Sequence, residues 1–290
     1  SPMTQINKGK KVAEIKRRLN EIVCSPTVVL VCGEFKRGKS TFVNALIGRS
    51  ICPTDTEICT SVVSVIRYGE NPKAIRFYGD FSNLKSQEIN IDDIERYTVG
   101  NAANIDNTVS IEITLPLEEL KKGLVIIDTP GLGGLDPRHA ALTNYFLPQA
   151  DMAIFMTDVN EPLTSTELAF YRDKVLRFAK KSLIVLNKSD LKEASAVEDI
   201  RKDTISKVQS EGQFAPDVIA VSSAECIMEE TGFGNFPQLR GQVDKLVSEV
   251  KGELIRGLRD DLTEELDLAI LPLQMQLNQI ECPKINDLEN

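Results

Sequence analysis

The residues that promise chemistry open near the amino terminus, at Gly33-Glu34-Phe35-Lys36-Arg37-Gly38-Lys39-Ser40 with Thr41 next, a GxxxxGKS spacing. Glycine at both ends lets a loop turn without a Cβ clash, so that successive backbone N–H groups converge on phosphate oxygens at a helix N-terminus. Lys39 is expected to bridge the β- and γ-phosphates, the Ser40 hydroxyl to ligate Mg²⁺, and Thr41 to donate to the α-phosphate. The whole loop from Gly33 to Thr41 is therefore a candidate nucleotide-binding segment. The bland alternative, a Gly-Lys turn on the surface, does not account for the β-branched run Thr27 to Val31 before it or the helical pattern Thr41 to Ile47 after it.

Three further segments complete the constellation. Asp128-Thr129-Pro130-Gly131 follows the apolar run Leu124 to Ile127, which puts Asp128 at a strand's carboxyl end, suited to the Mg²⁺ shell, and Gly131 where its N–H can sense a γ-phosphate. Asn187-Lys188-Ser189-Asp190 follows Leu183 to Leu186. The Asp190 carboxylate can accept from both N1–H and the exocyclic amine of guanine, a donor pair that adenine lacks, which predicts GTP rather than ATP. Asn187 is expected to tie this base loop to the phosphate loop, with the Lys188 stem over the purine face. Ser222 and Ser223, after Val218 to Val221, are expected to bring a backbone N–H to the guanine carbonyl. A threonine must also close over metal and γ-phosphate; Thr54, Thr56 and Thr60 compete, and Thr60 is preferred because it directly precedes the strand-like Val62 to Arg67.

These loops need a rigid frame. With Met152 to Met156 the apolar runs number five; they are of strand length, apolar on both faces and separated by segments long enough for crossover helices, which predicts an α/β fold with a mostly parallel central sheet flanked by helices. Val62 to Arg67 and Val109 to Leu115 read as further strands, the latter as a possible antiparallel edge, and the polar stretch Asn83 to Asn107 as an insertion. Val12, Ile15, Leu19 and Ile22 make one helical stripe near the start. Leu246, Val250, Leu254, Leu258 and Leu262 make another near the end, and Pro272 is expected to interrupt or kink a second apolar stretch beyond it. This divides the chain into an N-terminal neck helix over 1–24, a nucleotide-binding domain over 25–236 and C-terminal neck helices over 237–290.

Composition excludes several classes. With 34 basic and 43 acidic residues, the formal charge of −9 opposes a nucleic-acid partner. The six cysteines are scattered singly without a CxxC pair, so no zinc or redox motif is readable, and a cytoplasmic, reduced protein is the simplest expectation. No apolar run approaches the roughly 18 to 20 residues that span a bilayer. Ser1-Pro2 ahead of Met3 reads as a cloning scar. The basic run Lys8 to Arg18 reads as a solvated helix face rather than a lipid anchor.

Taken together, Phe35 to Gly48, Cys59-Thr60-Ser61-Val62-Val63 running into Ile66-Arg67-Tyr68-Gly69, and Asp128 to Leu132 resemble the dynamin superfamily, particularly bacterial dynamin-like proteins, over roughly Val28 to Ser223. The resemblance implies a GTPase head that dimerises across its nucleotide face, Mg²⁺ as cofactor, GTP and GDP as substrate and product, a helical neck, and coupling to membrane remodelling or tethering. The lipid contact is expected through regions beyond this chain and a peripheral membrane location only for the longer protein. By the same resemblance the loop Asp158 to Thr166 reaches the partner's site in a head-to-head dimer.

Departures from the family pattern carry information. Leu132 stands where small regulatory GTPases place a water-orienting glutamine, so catalysis must draw on other groups. Phe35 and Lys36 replace the Gln-Ser pair of eukaryotic dynamins, which removes the serine that helps hold a monovalent cation. Lys36 or Arg37 is therefore a candidate source of positive charge, in cis, for the β–γ bridging oxygen, against the plainer reading of two solvated loop-tip cations. Ile58 occupies a position that is often proline and weakens the choice of Thr60. His139 reads as a solvated or rim residue rather than a general base. Two other readings stay open: a scaffold that binds GTP and scarcely hydrolyses it, and an Era-like ribosome-assembly GTPase, which the acidic balance disfavours.

Overall fold

Strands covered on both faces are apolar through their middles, as residues 28–32, 152–156 and 183–186 are here, with polar residues confined to their ends. The computed structural model describes residues 2–54, 62–80, 83–98, 108–132, 137–228 and 234–280. Among these residues the strands are β1 (Thr27–Gly33), β2 (Val63–Tyr68), β3 (Lys73–Asp80), β4 (Asn83–Ile89), β5 (Thr108–Leu115), β6 (Leu124–Asp128), β7 (Met152–Asp158), β8 (Lys181–Asn187) and β9 (Asp217–Ala220). They form one sheet in the order β4-β3-β5-β2-β6-β1-β7-β8-β9. Five neighbours, β6, β1, β7, β8 and β9, run parallel. β2 turns the direction, pairing antiparallel with β6 and parallel with β5.

The helices are α1 (Pro2–Cys24), α2 (Lys39–Ile47), α3 (Ile94–Thr98), α4 (Glu118–Lys121), α5 (Pro137–Phe146), α6 (Ser165–Phe170), α7 (Leu176–Phe178), α8 (Ala194–Ser210), α9 (Ser223–Met228) and α10 (Phe236–Ile280). Alternation along the strands divides the core. Val29, Val31, Ile126 and Ile154 face Phe42 and Leu46 of α2 and Phe236, Leu239 and Val243 of α10. Leu30, Ile127 and Phe155 face the opposite way, with Leu142 of α5 and Val208 of α8. The fold is α/β with a mostly parallel sheet, as expected.

Two details correct the sequence reading. Residues 109–115 are not an edge: β5 is interior, and the edge is β4, which lies inside the stretch read as an insertion and pairs antiparallel with β3. Neither β3 nor β4 announces itself, because β4 (Asn-Leu-Lys-Ser-Gln-Glu-Ile) is largely exposed and polar, the composition that protects a sheet edge from unwanted pairing. Pro272 does not end its helix, since α10 runs through it to Ile280. Proline removes one N–H bond, to the carbonyl of Leu268, and Leu268 is exposed, so water can take the freed carbonyl.

The chain forms two compact units, Pro26–Val250 and a smaller one of Ser1–Ser25 with Lys251–Asn290. In the smaller unit Lys11 meets Glu265 at 2.7 Å, Arg18 meets Asp261 at 3.1 Å, and Lys251 Nζ donates to the Val23 carbonyl at 3.1 Å. The partners run in opposite order, so α1 and the end of α10 lie antiparallel. The two ion pairs are half-exposed and contribute little stability, and they occupy Lys11 and Arg18 of the basic run of α1. Among the described residues no helix is long and apolar enough to cross a membrane.

Candidate functional site

In open parallel sheets, ligands sit beyond the carboxyl ends of the strands. Here β1, β6, β7 and β8 end at Gly33, Asp128, Asp158 and Asn187, on one side of the larger unit. Gly33 is required there: at φ 149° its Cα lies so close to β7 that a Cβ would stand 2.3 Å from the Met156 carbonyl oxygen. Gly38 caps α2 in the left-handed conformation at φ 81°, where an added Cβ would strike Asn187 Nδ2 at 2.5 Å. The loop between them arches over the start of α2. Lys39, buried, donates from Nζ to the Glu34 carbonyl at 3.0 Å.

Asn187 joins the loops. Its Nδ2 donates to the Arg37 carbonyl at 3.0 Å, and its Oδ1 accepts from the Ser223 N–H at 3.2 Å and the Ser223 hydroxyl at 2.8 Å. The Ser222 hydroxyl donates to Asp190 Oδ1 at 2.7 Å, orienting that carboxylate. Lys188, at φ 61°, donates from Nζ to the Lys36 carbonyl at 2.9 Å. The result is a cleft of 620 Å³ whose wall includes Phe35, Lys36, Lys39, Ser40, Thr41, Gly131, Lys188, Asp190 and Ser223.

The DxxG segment is stitched to the same loop. Thr129 donates its hydroxyl to the Val31 carbonyl at 2.8 Å. Leu132 N–H donates to Gly33 O at 3.0 Å, and Phe35 N–H donates to Leu132 O at 3.1 Å. A Cβ at Gly131 would stand 2.7 Å from Phe35 Cα, a backbone contact that no side-chain rotation relieves. Gly131→Ala is therefore expected to part the two loops, lowering stability by about 1–3 kcal/mol and weakening fluorescent GTP-analogue binding by about tenfold. Unchanged melting and titration curves would show that the loops separate freely.

Ser40 and Asp128 face each other, the Ser40 hydroxyl donating to Asp128 Oδ2 at 2.7 Å. Asp128 Oδ1 is buried and accepts from no group among the described residues. Burial pushes this carboxyl up to about 6, against the pull of Ser40 and Lys39. An unsatisfied buried carboxylate oxygen beside a hydroxyl, with oxygen donors only, fits a hard cation that takes one or two protein ligands and completes its shell from phosphates and water. Mg²⁺ suits that donor set. The preferred switch threonine, Thr60, lies outside the described residues, as does Thr56; Thr54 is exposed at the cleft. The His139 side chain also lies outside them.

Lys36 and Arg37, paired in the sequence reading, separate here. Lys36 is exposed at φ 65° and lines the cleft, its Nζ 5.6 Å from the Phe35 ring centroid. Arg37 is buried and turned to carboxylates: Nε donates to Glu167 at 2.7 Å, Nη1 to Asp158 at 3.1 Å, and Nη2 to Glu34 at 3.4 Å. A guanidinium held by three carboxylates is turned to the protein, so of the two candidate cations Lys36 is the one that lines the cleft. Its carbonyl, not its side chain, takes part in the site. Glu167 also closes a capping box with Thr164 at the start of α6. Burial pushes Glu167 above its ordinary value, opposed by the Thr164 N–H and by Arg37.

Asp158 entered the sequence reading only as the start of a loop directed at a partner's site, and Glu167 not at all. Signals existed for both: Asp158 closes a parallel strand at the ligand edge, and Thr164-Ser165-Thr166-Glu167 matches the capping-box pattern. Nothing local could have joined them to Arg37. Asn44 is the other omission. It holds residues 51–52 by accepting from Ile51 N–H at 3.0 Å and Cys52 N–H at 2.8 Å, and it donates to Cys52 O at 2.7 Å.

The sequence pattern of the Dynamin family matches residues 29–189, from β1 through the base-recognition loop. The chain belongs to the dynamin family. Among the relatives of this dynamin-family chain, an uncharacterized protein in the xynA 3' region of Caldicellulosiruptor sp. (strain Rt8B.4) is 34% identical over 174 residues, 59% of this chain and 42% of that protein. The bacterial dynamin-like protein of Nostoc punctiforme is 30% identical over 161 residues, 51% of this chain and 22% of that protein. A solved structure described as "An oligomerised bacterial dynamin pair provides a mechanism for the long range sensing and tethering of membranes" superposes with a TM-score of 0.66 at 18% identity, covering 93% of this chain and 46% of that one. This chain thus spans less than half the length of these relatives. Its place is with the bacterial dynamin-like proteins, and its head is a dynamin-type GTPase domain.

Proposed function

We propose that the larger unit binds GTP with Mg²⁺ and hydrolyses it to GDP and phosphate, faster when two heads meet across their nucleotide faces. The observation that carries this reading is Asn187, pinned at once to the phosphate loop and to Ser223, which draws phosphate-, base- and carbonyl-binding segments around one cleft. Ser40, Asp128 and Thr60 are the residues to hold the metal, which when bound neutralises charge building on the phosphates. Lys39 spans the β- and γ-phosphates. Asp190, oriented by Ser222, selects guanine. Water held by Thr60 and neighbouring backbone attacks the γ-phosphorus in line, the bond to the β–γ bridging oxygen breaks, and the water's proton leaves on inorganic phosphate. Lys36, exposed at the cleft, is the cation available to the bridging oxygen, while Arg37 shapes the loop.

Membrane remodelling or tethering is the cellular output we propose, a reading that kinship with bacterial dynamin-like proteins supports. One observation favours a second reading, a GTP-binding scaffold with little turnover. Leu132 is buried and locked to the phosphate loop through its backbone, so this position offers no side chain to orient water.

GTP turnover per molecule, measured against protein concentration with Mg²⁺ and with or without liposomes, separates the two. Specific activity is expected to climb with concentration alongside a dimer in sedimentation with a transition-state mimic. In the same assay Lys36→Ala is expected to lower kcat by about 10²-fold or more, and Arg37→Ala to act chiefly through stability. A flat, near-zero rate from a monomer would favour the scaffold, and an unchanged kcat in Lys36→Ala would remove that lysine from catalysis.

A further inference from the structure

We infer that Asp158 is a positioning residue for guanine-nucleotide binding, its buried carboxylate joining the phosphate loop to the base-recognition loop and setting Lys188 in place. The inference rests on the guanine-nucleotide reading above.

Asp158 ends β7, beside the central strand β1, and is 4% exposed. Each of its oxygens has a separate task. Oδ1 accepts from the N–H groups of Asn160 at 2.9 Å and Glu161 at 3.2 Å, folding the following loop back on the strand end. Oδ2 accepts from Lys188 Nζ at 3.0 Å and from Arg37 Nη1 at 3.1 Å. The same ammonium reaches the Lys36 carbonyl at 2.9 Å. One carboxylate therefore holds a cation from each of the two loops that must grip a nucleotide together, and Lys188 passes the tie on to the phosphate-loop backbone.

Conformation points the same way. Lys36 and Lys188 have φ of 65° and 61°, a left-handed conformation that residues with a Cβ rarely adopt and that persists only when surroundings hold it. The bond between them is such a support, and Asp158 aims the ammonium that makes it. Burial alone would raise the Asp158 carboxyl, yet bonds from Lys188 and from its own loop hold it below the usual carboxylate range, so it stays an acceptor. Without that anchor, Lys188 has Asp190 as a competing partner on the wall of the same cleft, and Asp190 is the carboxylate that guanine needs.

Asp158→Asn tests this with little change of shape. Its amide oxygen keeps the bonds to Asn160 and Glu161, while its NH₂ meets two cations that are themselves donors; Arg37 retains Glu167 and Glu34. Fluorescent N-methylanthraniloyl-GDP is titrated with Mg²⁺ into the wild-type chain, Asp158→Asn, Lys188→Met and the double variant. Asp158→Asn is expected to raise Kd about tenfold, the scale of a lost hydrogen bond to a charged group. In the Lys188→Met background it is expected to add less than about twofold, because residues acting through one contact are not additive; a merely structural role would multiply the two effects. Wild-type affinity in Asp158→Asn, or multiplied effects in the double variant, overturns the inference and leaves the proposed function standing. If Asp158→Asn shows no cooperative melt, Lys188→Met alone decides, and wild-type affinity there overturns the inference. A wild-type chain that binds no guanine nucleotide overturns the proposed function itself, and this inference with it.

Discussion

Asp128→Asn is expected to abolish Mg²⁺-dependent GTP hydrolysis, by about 10³-fold or more, while making the nucleotide-free protein more stable. The two effects have one cause. Asp128 is 1% exposed, with one oxygen on Ser40 and the other accepting from nothing among the described residues. A buried, half-satisfied carboxylate costs about 1–3 kcal/mol or more, and the rise of this carboxyl to about 6, caused first by burial, reports the same strain. Asparagine removes the charge and keeps an oxygen for Ser40. Its NH₂ takes the place of the oxygen that accepts from nothing among the described residues, so a neutral group replaces a buried charge. Melting curves in chelator-treated buffer at neutral pH are expected to show the variant more stable by about 1–3 kcal/mol. Added Mg²⁺ with GDP should stabilise the wild type much more than the variant. A variant that is both less stable and equally responsive to Mg²⁺ would mean that Asp128 is a structural acid and not part of a metal site.

Glu167→Ala is expected to be among the most destabilising single substitutions in the larger unit. The side chain is fully buried, and it accepts from Arg37 Nε at 2.7 Å, from the Thr157 hydroxyl at 3.0 Å and from Thr164 N–H at 3.0 Å. Alanine strands a buried guanidinium, removes half of the α6 capping box and leaves a cavity. Breaking one side of a buried ion pair costs about 3–5 kcal/mol, which for a unit of this size lowers Tm by about 10 °C. Glu167→Gln, which keeps an acceptor but not the charge, should fall between alanine and wild type. Arg37→Met combined with Glu167→Met should melt above Glu167→Met alone, because it also removes the buried guanidinium that the lost glutamate leaves short of a partner. Differential scanning calorimetry without nucleotide checks all four. A loss below about 1 kcal/mol in Glu167→Ala would show that Asp158 and Glu34 hold Arg37 unaided.

Both expectations bear on how the protein came to be readable. The sheet's central strands were visible because they lie between two helical layers and are apolar through their middles, a pattern that survives without any knowledge of neighbours. The phosphate loop was visible for a different reason: its chemistry is backbone chemistry, and Gly33 and Gly38 mark places where no other residue fits. β4 was missed because an edge strand is selected to look unlike a strand, and β3, next to it, because one of its inward positions is the buried Arg76, which breaks the apolar alternation. Of the two expectations for Pro272, an interruption or a kink, the interruption fails because α10 runs through it; the cost of proline depends on whether the freed carbonyl reaches water, which composition does not tell.

By itself, then, the order of residues determined the α/β frame, the glycine-bounded loop before α2, the DxxG turn and the Asn187 to Asp190 turn after β8, since each is a local pattern whose meaning needs only the adjoining strand or helix. Tertiary structure alone decided the division of labour between two adjacent cations, Lys36 at the cleft and Arg37 inside. The partners that make this choice, Asp158 and Glu167, lie 121 and 130 residues further along the chain. A charge is drawn to whichever opposite charge the fold brings within about 3 Å in a place that water does not reach, and no spacing in the sequence records that distance.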